Sequence, residues 1–389
     1  MNTIQIGGQK WPLNVDNFSF KDRLRICSFF LNKKNRWTQS ELVRQIEVKM
    51  ADFAGAKHAI FCSSGSTANT MLAMSLRDRN SRKKLVVFPS TTWTTSVSPF
   101  VREGFYPVFI DINLDDFCFD YEKLETYVSA NKEDIACIFP TSLLGFVPDV
   151  NRLKEISFKY DVRMMMDNCE NTMGLYEGKN VSSFFTSTTS TYFGHQIQSV
   201  EGGFVFTDCN YEKDYFLMLR NHGMTRSVQF PQPYSNPNVD SKFDFYLLGN
   251  NFRNSDINAF IGLIDLSKAK DYRIKRIKLY ERYSNLLSGH KYVLPKKHEN
   301  RTHVAFCLPV ICKNRETKRL AELKCLESDI ETRPIISGNL LRQTCYKKYD
   351  DYSLFPNSEF LHQNGFYVGL HAKLEDQNIL DLVASLNTI

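Results

Sequence analysis

The chain alternates short apolar runs with longer segments in which polar and apolar positions recur at helical spacing. Short runs bounded by turn residues are typical of buried strands, and the longer segments have the period of amphipathic helices. Up to residue 170 the pattern predicts strands at His58–Cys62, Lys84–Phe88, Pro107–Ile110, Ile135–Phe139 and Val162–Met166, and helices at Ser66–Leu76, from Trp93, at Tyr121–Ala130 after the N-cap Asp120, and at Val150–Tyr160. This alternation indicates a mainly parallel α/β sheet.

The pattern changes in the second half of the chain. It predicts, in order, a strand at Gly202–Asp208, a helix at Glu212–Asn221, a Pro-, Asn- and Ser-rich loop at Ser227–Asp244, a long helix from Ser255 to about Leu287, and a β run at His303–Val310. A break of the long helix near Ala269 is an open alternative. Because β runs and helices mix beyond Gly289, we predict a second, smaller α+β domain with a boundary near residues 270–290.

Composition narrows the class of protein without naming a chemistry. With 389 residues the chain has the length of two or three domains, and 42% hydrophobic with 24% charged residues excludes general disorder. The 49 basic and 43 acidic side chains leave a net charge of +6. This mild charge permits an anionic small-molecule ligand, but it does not indicate a nucleic-acid binder, which would carry a concentrated basic stripe.

Cysteine usage and the N-terminus point to a reducing compartment. Ten cysteines in 389 residues are too sparse for a disulfide scaffold, and no C-x-x-C or C-x-C spacing signals a zinc or iron–sulfur site. Met1–Asn14 is polar, so no secretory signal is expected, and no apolar run of about 18 residues predicts a membrane span. We therefore expect a cytoplasmic protein whose cysteines are mostly buried thiols.

Four features fall at the carboxyl ends of predicted strands, where ligands bind in open α/β sheets. The first is the turn Ser63–Asn69, in which Gly65 and Ser66 open a helix. Backbone N–H groups at such a helix start can cradle a phosphate, and a plain tight turn with an N-cap is the alternative. The second is Trp93, whose ring is suited to stacking on a planar ligand; core packing is the alternative.

The other two features are a carboxylate and an imidazole. Asp167 follows the apolar run Met164–Met166, and a buried carboxylate there needs a partner such as a protonated pyridine nitrogen. A helix N-cap is the alternative for Asp167. His195 lies in the segment Ser190–Gly203, and taken alone it is a structural loop histidine more readily than a catalytic one.

In this order the four features resemble the DegT/DnrJ/EryC1/StrS sugar aminotransferase family of fold-type I pyridoxal-phosphate (PLP) proteins. The resemblance runs from about residue 35 to the C-terminus and includes Ser64-Gly65-Ser66, Asp167 with Glu170, Ser190 five residues before His195, Glu201-Gly202-Gly203, His222-Gly223 and the G-x-N-x-R segment Gly249–Arg253. It implies an aspartate aminotransferase-like α/β fold with a mainly parallel sheet. The implied parts are an N-terminal segment, 1–35, a PLP-binding large domain, 36–275, and a small C-terminal α+β domain, 276–389.

One departure separates this chain from the family's aminotransferases. They carry a lysine, which forms a Schiff base with the cofactor, at the position of His195. Imidazole forms no stable Schiff base but serves as an acid and a base near neutral pH. A subgroup with the same substitution consists of the nucleotide-sugar 3-dehydratases of 3,6-dideoxysugar synthesis. The stretches His222–Arg226, Arg333–Asn339 and Gly365–Gly369 resemble its colitose-pathway branch.

The resemblance implies roles for individual residues around non-covalently bound PLP or pyridoxamine phosphate (PMP). The implied cofactor-binding residues are Gly65, Ser66, Ser190 and, from a partner subunit, Asn251 at the phosphate, Trp93 on the ring, Asp167 at the ring nitrogen and Glu170 beside the ring hydroxyl. His195 is the expected catalytic acid and base. His222, Arg226 and Arg333 are expected to bind substrate, with surface ion pairs as the alternative for the two arginines.

The implied activity removes the C3 hydroxyl of a nucleotide-linked 4-keto-6-deoxyhexose, with GDP-4-keto-6-deoxymannose favoured and L-glutamate as amino donor. A homodimer with shared active sites is expected, without metal, nucleic acid or membrane. Two alternatives stay open: an aminotransferase-like enzyme acting on another keto-sugar, and a non-catalytic protein that binds PLP or a sugar nucleotide. An iron–sulfur-dependent dehydratase is not expected, since Cys307 and Cys312 are separated by four residues.

Overall fold

The computed structural model describes residues 10–79 and 82–389, so most of Met1–Asn14, the basis of the expectation about a secretory signal, lies outside the described residues. The strands in chain order are β1 (His58–Cys62), β2 (Leu85–Pro89), β3 (Tyr106–Ile110), β4 (Ile135–Ile138), β5 (Met165–Asp167), β6 (Leu175–Tyr176), β7 (Lys179–Asn180), β8 (Thr186–Ser190), β9 (Gly203–Thr207), β10 (Tyr292–Val293), β11 (Arg301–Thr302), β12 (Cys307–Cys312), β13 (Thr332–Pro334) and β14 (Gly365–Gly369).

Polar side chains cap several of the helices. In chain order the helices are α1 (Phe20–Leu31), α2 (Glu41–Ala54), α3 (Gly65–Arg79), α4 (Thr94–Arg102), α5 (Tyr121–Asn131), α6 (Val150–Tyr160), α7 (Asn210–Arg220), α8 (Asp256–Leu266), α9 (Ala269–Leu286), α10 (Arg315–Glu327), α11 (Pro356–Asn364) and α12 (Asp376–Asn387). Asp120 caps α5 by accepting a hydrogen bond from the Lys123 amide, as predicted. The long helix after Ser255 is broken just before Ala269 into α8 and α9.

A seven-stranded sheet forms the centre of the larger part of the chain. Strands β1, β9, β8 and β5 pair in that order, and β4, β2 and β3 continue the sheet through parallel bridges between Ile138 and Met164 and between Thr141 and Asp167. Every neighbouring pair is parallel except those made by β9, which runs antiparallel to β1 and β8. The prediction of a mainly parallel sheet is therefore confirmed, with β9 as its antiparallel member.

Strand β5 differs from the predicted Val162–Met166 at both ends. The end of α6 is capped by Asp161 in the left-handed conformation, and the Val162 amide still bonds to the Ser157 carbonyl, so pairing with β8 begins only at Met165. At the other end the Asp167 amide bonds to the Pro140 carbonyl, which extends the strand through the carboxylate residue. Asp167 thus belongs to the strand and is not a helix N-cap.

The C-terminal part contains an antiparallel sheet of its own, with the order β10, β12, β14 and β13. The apolar strand β12 is buried along its whole length, as a central strand must be. Trp11, from the N-terminal segment, is 5% exposed and pairs with Ile330 beside β13. No helix in residues 10–79 or 82–389 is long and apolar enough to cross a membrane.

A turn at residues 143–145 fixes the small sheet against the large one. The Phe306 amide donates to the Leu144 carbonyl at 2.8 Å, and the Val304 amide donates to the Gly145 carbonyl at 3.2 Å. Gly145 has a φ of +83°, and a Cβ there would lie 2.2 Å from the Val304 oxygen, so only glycine permits this close approach. The start of β12 is thereby brought to the carboxyl ends of β4 and β5.

Candidate active site

A cavity of about 540 Å³ lies at the carboxyl ends of the central strands and is closed on one side by β13 and β14. The sequence features at the ends of β1, β2, β5 and β8 converge on it, as parallel strands require. Eight predicted site residues line the cavity: Gly65, Ser66, Trp93, Asp167, Glu170, Ser190, His195 and Arg333.

The start of α3 forms one wall of this cavity. Gly65 lies so close to its neighbours that a Cβ would sit 2.7 Å from the Cys169 sulfur and 2.8 Å from the Ser190 Cβ. The Ser66 hydroxyl donates to Thr95 Oγ1 at 2.9 Å, which fixes the first turn of the helix. Free N–H groups and the positive end of a 15-residue helix dipole therefore meet the Ser190 hydroxyl here, an arrangement suited to a phosphate.

Asp167 is a buried carboxylate held by neutral donors. It is 3% exposed and accepts hydrogen bonds from Asn69 Nδ2 at 2.8 Å, Ser96 Oγ at 2.7 Å and the Cys169 amide at 2.9 Å. Thr188 in turn donates to the Asn69 oxygen and so fixes that amide. Within the part of the chain that the structure describes, Asp167 forms no ion pair. A buried carboxylate without a cationic partner favours the binding of a ligand that carries a positive group, and a protonated pyridine nitrogen would provide one.

Glu170 is a second buried carboxyl group in the cavity. Burial raises its pKa to about 8, with a smaller contribution from the charge of Asp167, although the Leu144 amide donates to its Oε2 at 2.7 Å. Leu144 has a φ of +55°, a conformation that is costly for leucine and that its turn maintains by bonding to Phe306. Near pH 7 Glu170 is therefore mostly protonated and can donate a hydrogen bond to an anionic oxygen.

His195 is the one imidazole among the lining side chains of the described residues. It lies between the rings of Tyr192 and Phe306, with centroids 5.8 and 5.3 Å away. Burial lowers its pKa to about 4; the nearby charge of Asp167 opposes this shift only in part, and Arg276 adds to it. The neutral imidazole has the protonation state of a general base at pH 7. No lysine lines the cavity among residues 10–79 and 82–389.

Trp93, at the start of α4, and Arg333, on β13, line the cavity from the large-sheet and small-sheet parts of the chain. Trp93 is the N-cap residue of α4 and is 52% exposed, so its ring is not packed into the core and is open to a planar ligand. Arg333 lies on β13, with its side chain 62% exposed and 3.6 Å from Glu331. A weak exposed ion pair of this kind leaves the guanidinium available to an anionic group.

Three predicted site residues do not line the cavity of their own chain. Asn251 forms an isolated antiparallel β-bridge with Asn221. His222 follows Asn221 directly and has a φ of +62°. Arg226 is exposed and stacks over the Phe243 ring at 5.4 Å. His222 and Arg226 therefore do not line the cavity of a single chain, and their expected role in substrate binding stays a prediction. Asn251 was expected to act from a partner subunit.

Sequence reasoning missed several residues that the structure brings to the cavity. Asn69 and Ser96, the side-chain partners of Asp167, lie near the N-terminal ends of α3 and α4, and the position of both helices after strand ends was the available signal. Asn14, Phe306 and Tyr367 reach the cavity from the N-terminal segment and the small sheet, and no local pattern marks them. In the described residues no group of three His, Cys, Asp or Glu side chains is arranged to hold a metal ion.

Comparison with known proteins gives one consistent picture. The sequence profile of the DegT/DnrJ/EryC1/StrS aminotransferase family matches residues 29–387. A GDP-4-keto-6-deoxy-D-mannose 3-dehydratase from Yersinia pseudotuberculosis is 30% identical over 351 residues, which cover 87% of this chain and 88% of the relative.

Solved structures of similar proteins have nearly the same fold. One is an E. coli GDP-4-keto-6-deoxy-D-mannose-3-dehydratase with bound hydrated PLP, with a TM-score of 0.87 and 27% identity over 97% of this chain and 99% of that one. Another structure of a GDP-4-keto-6-deoxymannose-3-dehydratase holds a trapped PLP-glutamate geminal diamine. Its TM-score is 0.87, at 27% identity over 97% of this chain and all of that one.

Proposed function

The chain belongs to the DegT/DnrJ/EryC1/StrS aminotransferase family, and we propose that it removes a sugar hydroxyl instead of transferring an amino group. The proposed reaction converts a nucleotide-linked 4-keto-6-deoxyhexose into the 4-keto-3,6-dideoxy sugar, with L-glutamate as amino donor. The similarity to 3-dehydratases over most of the chain supports this reaction class.

The observation that carries the proposal is the identity of one side chain that lines the cavity. His195 lines it together with Asp167 and Glu170, and the described lining residues include no lysine. Lys179 and Lys213, the lysines nearest to His195 in sequence, lie on β7 and α7 and do not reach the cavity. An enzyme built this way retains the acid–base chemistry of the family but lacks the amine that would hold the cofactor covalently.

The cavity fits PLP and PMP. Gly65, Ser66 and Ser190 would hold the phosphate, Asp167 would pair with the protonated ring nitrogen, and the exposed face of Trp93 would cover the ring. When bound, PMP supplies an amine that condenses with a sugar ketone and a ring that accepts electrons from the neighbouring carbon.

His195 moves the proton in this proposal. The neutral imidazole takes a proton at the carbon that bears the amine, which is possible at pH 7 because burial lowers the pKa of His195 to about 4. The imidazolium with so low a pKa is a strong donor, and it returns the proton to the C3 oxygen of the sugar as that hydroxyl leaves. One side chain thus performs both transfers.

The overall reaction is balanced without a further reductant. The sugar exchanges its C3 hydroxyl for hydrogen, a change that requires two electrons. The oxidation of glutamate to 2-oxoglutarate supplies these electrons, and the nitrogen leaves as ammonia. Because no lysine lines the described cavity, water rather than an enzyme amine releases the product nitrogen. Arg333 is proposed to bind the glutamate carboxylate or a nucleotide phosphate.

The finer substrate assignment rests on the relatives. Their names support GDP-4-keto-6-deoxymannose as the substrate and, with it, a role in colitose synthesis. A nucleotide sugar and glutamate are water-soluble metabolites, which supports the expected cytoplasmic location.

We further propose a homodimer with shared active sites. Asn251, His222 and Arg226 lie on a surface loop that also exposes Phe243 and Leu248, the latter 94% exposed, and apolar exposure of this kind is typical of an interface. In the dimer, Asn251 would reach the phosphate of the neighbouring site, and the other two would reach its substrate.

Mixing two inactive variants tests the shared site. His195→Asn and Asn251→Ala should each have little activity alone. Refolding or co-expressing them together should restore part of the activity, because a mixed dimer contains one site in which both residues are native. Activity of the mixture equal to the sum of the separate variants would show that Asn251 acts within its own chain or not at all.

Glu170 gives a pH-dependent prediction. Its proton is lost as the pH rises through about 8, the value to which burial raises its pKa. We expect turnover to fall above that pH, and we expect Glu170→Gln, whose amide stays neutral and can still donate, to lack this alkaline decline. An unchanged decline in the variant, measured as kcat from pH 6 to 10, would assign it to another group.

Product analysis tests the function itself. The protein is incubated with PLP, L-glutamate and GDP-4-keto-6-deoxymannose, and the sugar nucleotide is analysed by mass spectrometry. We expect a product with one oxygen atom fewer, together with 2-oxoglutarate and ammonia. A GDP-linked amino sugar would instead identify an aminotransferase. PLP binding without turnover of any nucleotide keto-sugar would identify a binding protein.

A further inference from the structure

The N-terminal segment Lys10–Asn17, which we call the strap, connects the two parts of the chain across the cavity. Its first end adds to the small domain: the Trp11 amide donates to the Asp329 carbonyl at 3.1 Å, and the Trp11 carbonyl accepts from the Glu331 amide at 2.9 Å. The Trp11 ring nitrogen donates to the Gly369 carbonyl at 3.0 Å, and the side chain is buried. The Leu13 amide donates to the Glu331 carboxylate at 3.0 Å.

The other end of the strap is attached to the helices beside the large sheet. The Asn17 carbonyl accepts hydrogen bonds from Lys268 Nζ at 3.0 Å and from the Tyr272 hydroxyl at 3.3 Å. Lys268 lies between α8 and α9, and Tyr272 lies in the first turn of α9. The strap is therefore fixed at both ends, and its middle has a defined position over the cavity.

The middle of the strap contacts the turn that carries His195. With its carboxamide nitrogen facing the two nearby carbonyl oxygens, Asn14 donates to the Leu13 and Gly194 carbonyls, both at 3.0 Å. A Cβ on Gly194 would lie 2.9 Å from the end of the Asn14 carboxamide, from the atom that is its oxygen in this orientation, so the glycine allows this contact. Leu13 and Asn14 both line the cavity.

Within the turn, His195 is held by backbone hydrogen bonds and by packing against the Tyr192 ring. The His195 amide donates to the Tyr192 carbonyl at 2.9 Å, and the Phe193 amide donates to the Val200 carbonyl at 3.0 Å. His195 Nδ1 is buried without a hydrogen-bond partner in the described residues. The position of the ring thus depends on packing and on where the backbone of the turn is held.

We propose that Asn14 is a positioning residue for His195, which holds the catalytic turn through the Gly194 carbonyl and, through the strap, couples that turn to the position of the small domain. This inference rests on the proposed function, in which His195 moves the proton. It gives the N-terminal segment a role at the active site that its sequence does not reveal.

A direct titration of His195 tests the proposal without any enzyme assay. The full-length protein is labelled with [13Cε1]histidine, and the His195 signal is assigned by its absence in His195→Asn. The charges that act on the ring are those of Asp167 on β5 and Arg276 on α9, and the other titratable or charged side chains that line the cavity are Cys169, Glu170, Tyr192, Glu201, Arg333 and Tyr367. All of them stay in place in Asn14→Leu, which keeps the size of the side chain and removes the donor.

We expect the wild-type ring to titrate near pH 4 and the Asn14→Leu ring to titrate closer to the ordinary value of about 6.5, because a loosened turn admits water. The loss of position should also lower kcat roughly 10- to 100-fold with a smaller change in KM. Asn14→Ala is a second variant with the same expectations. Asn35→Leu is the matched control, since Asn35 donates a comparable amide bond, to the Phe29 carbonyl at 2.8 Å, outside the cavity.

An unchanged His195 titration in both Asn14 variants would overturn the proposal, even if turnover by the wild-type protein is as proposed. The same shift in Asn35→Leu would overturn it as well, since the effect would then be global. Failure of the wild-type protein to turn over any keto-sugar, with the titration shift still present, would instead count against the function and leave the positioning role standing.

Discussion

Replacing His195 with asparagine is expected to lower turnover by about 10²–10⁴-fold, the usual contribution of a general acid–base group. Asparagine keeps a polar side chain of similar reach but cannot take up a proton. Since the ring is held by packing between Tyr192 and Phe306, little else should change. The measurement is kcat and KM with glutamate and the keto-sugar, together with cofactor affinity from the absorbance of bound PLP. We expect a fall in kcat with affinity retained.

The matched control is His290→Asn, which makes the same exchange at an exposed position. It should have wild-type activity. The wild-type enzyme should also keep its activity as the pH falls to about 5, because the imidazole is protonated only as the pH approaches about 4. His195→Asn activity within a few-fold of wild type would remove this residue from the chemistry.

Replacing Asp167 with asparagine is the second change with a large expected effect. The carboxylate would form a buried ion pair with the ring nitrogen of bound PLP, and removal of one partner of such a pair typically costs about 3–5 kcal/mol, or roughly 10²–10⁴-fold in rate. The amide keeps the shape and some of the hydrogen bonds from Asn69 and Ser96, so the fold should persist. We expect weaker PLP binding and a turnover lowered by that factor.

Asp120→Asn serves as the control for this exchange. Asp120 caps α5 outside the cavity, and asparagine caps a helix about as well as aspartate. It should retain both stability and activity. If Asp167→Asn binds PLP as tightly as the wild type and turns over at a similar rate, the buried carboxylate does not pair with the cofactor, and the assignment of the cavity to PLP loses its main electrostatic support.

The local sequence pattern was sufficient to predict many of the strands and helices, but it did not predict the direction in which each strand runs in the sheet. Strand β1 and helix α6 have the predicted bounds because their ends carry local signals: the Gly/Ser turn after Cys62, and Asp149 and Asp161 at the two caps. The run Gly202–Asp208 predicted a strand, which the structure has at Gly203–Thr207, but its antiparallel direction is set by pairing with β1 and β8. Pairing partners far apart in sequence leave no local trace.

The residues of the candidate site also fall into those that the sequence predicts and those that it does not. Residues at strand ends, such as Asp167 and Ser190, were predictable because the carboxyl ends of neighbouring parallel strands meet. Phe306 and Asn14 were not, since they reach the cavity only when the small sheet and the strap pack onto the large sheet. His222 does not line the cavity of a single chain, and its expected role in substrate binding stays a prediction.

The central claim is that a histidine in place of the family's lysine turns amino transfer into dehydration, and the fate of the glutamate nitrogen tests it most directly. The protein is supplied with PLP, [15N]glutamate and GDP-4-keto-6-deoxymannose, and the label is followed by 15N NMR and mass spectrometry. Dehydration places the 15N in free ammonium and leaves the sugar nucleotide unlabelled. A stable 15N-labelled sugar nucleotide would contradict the claim.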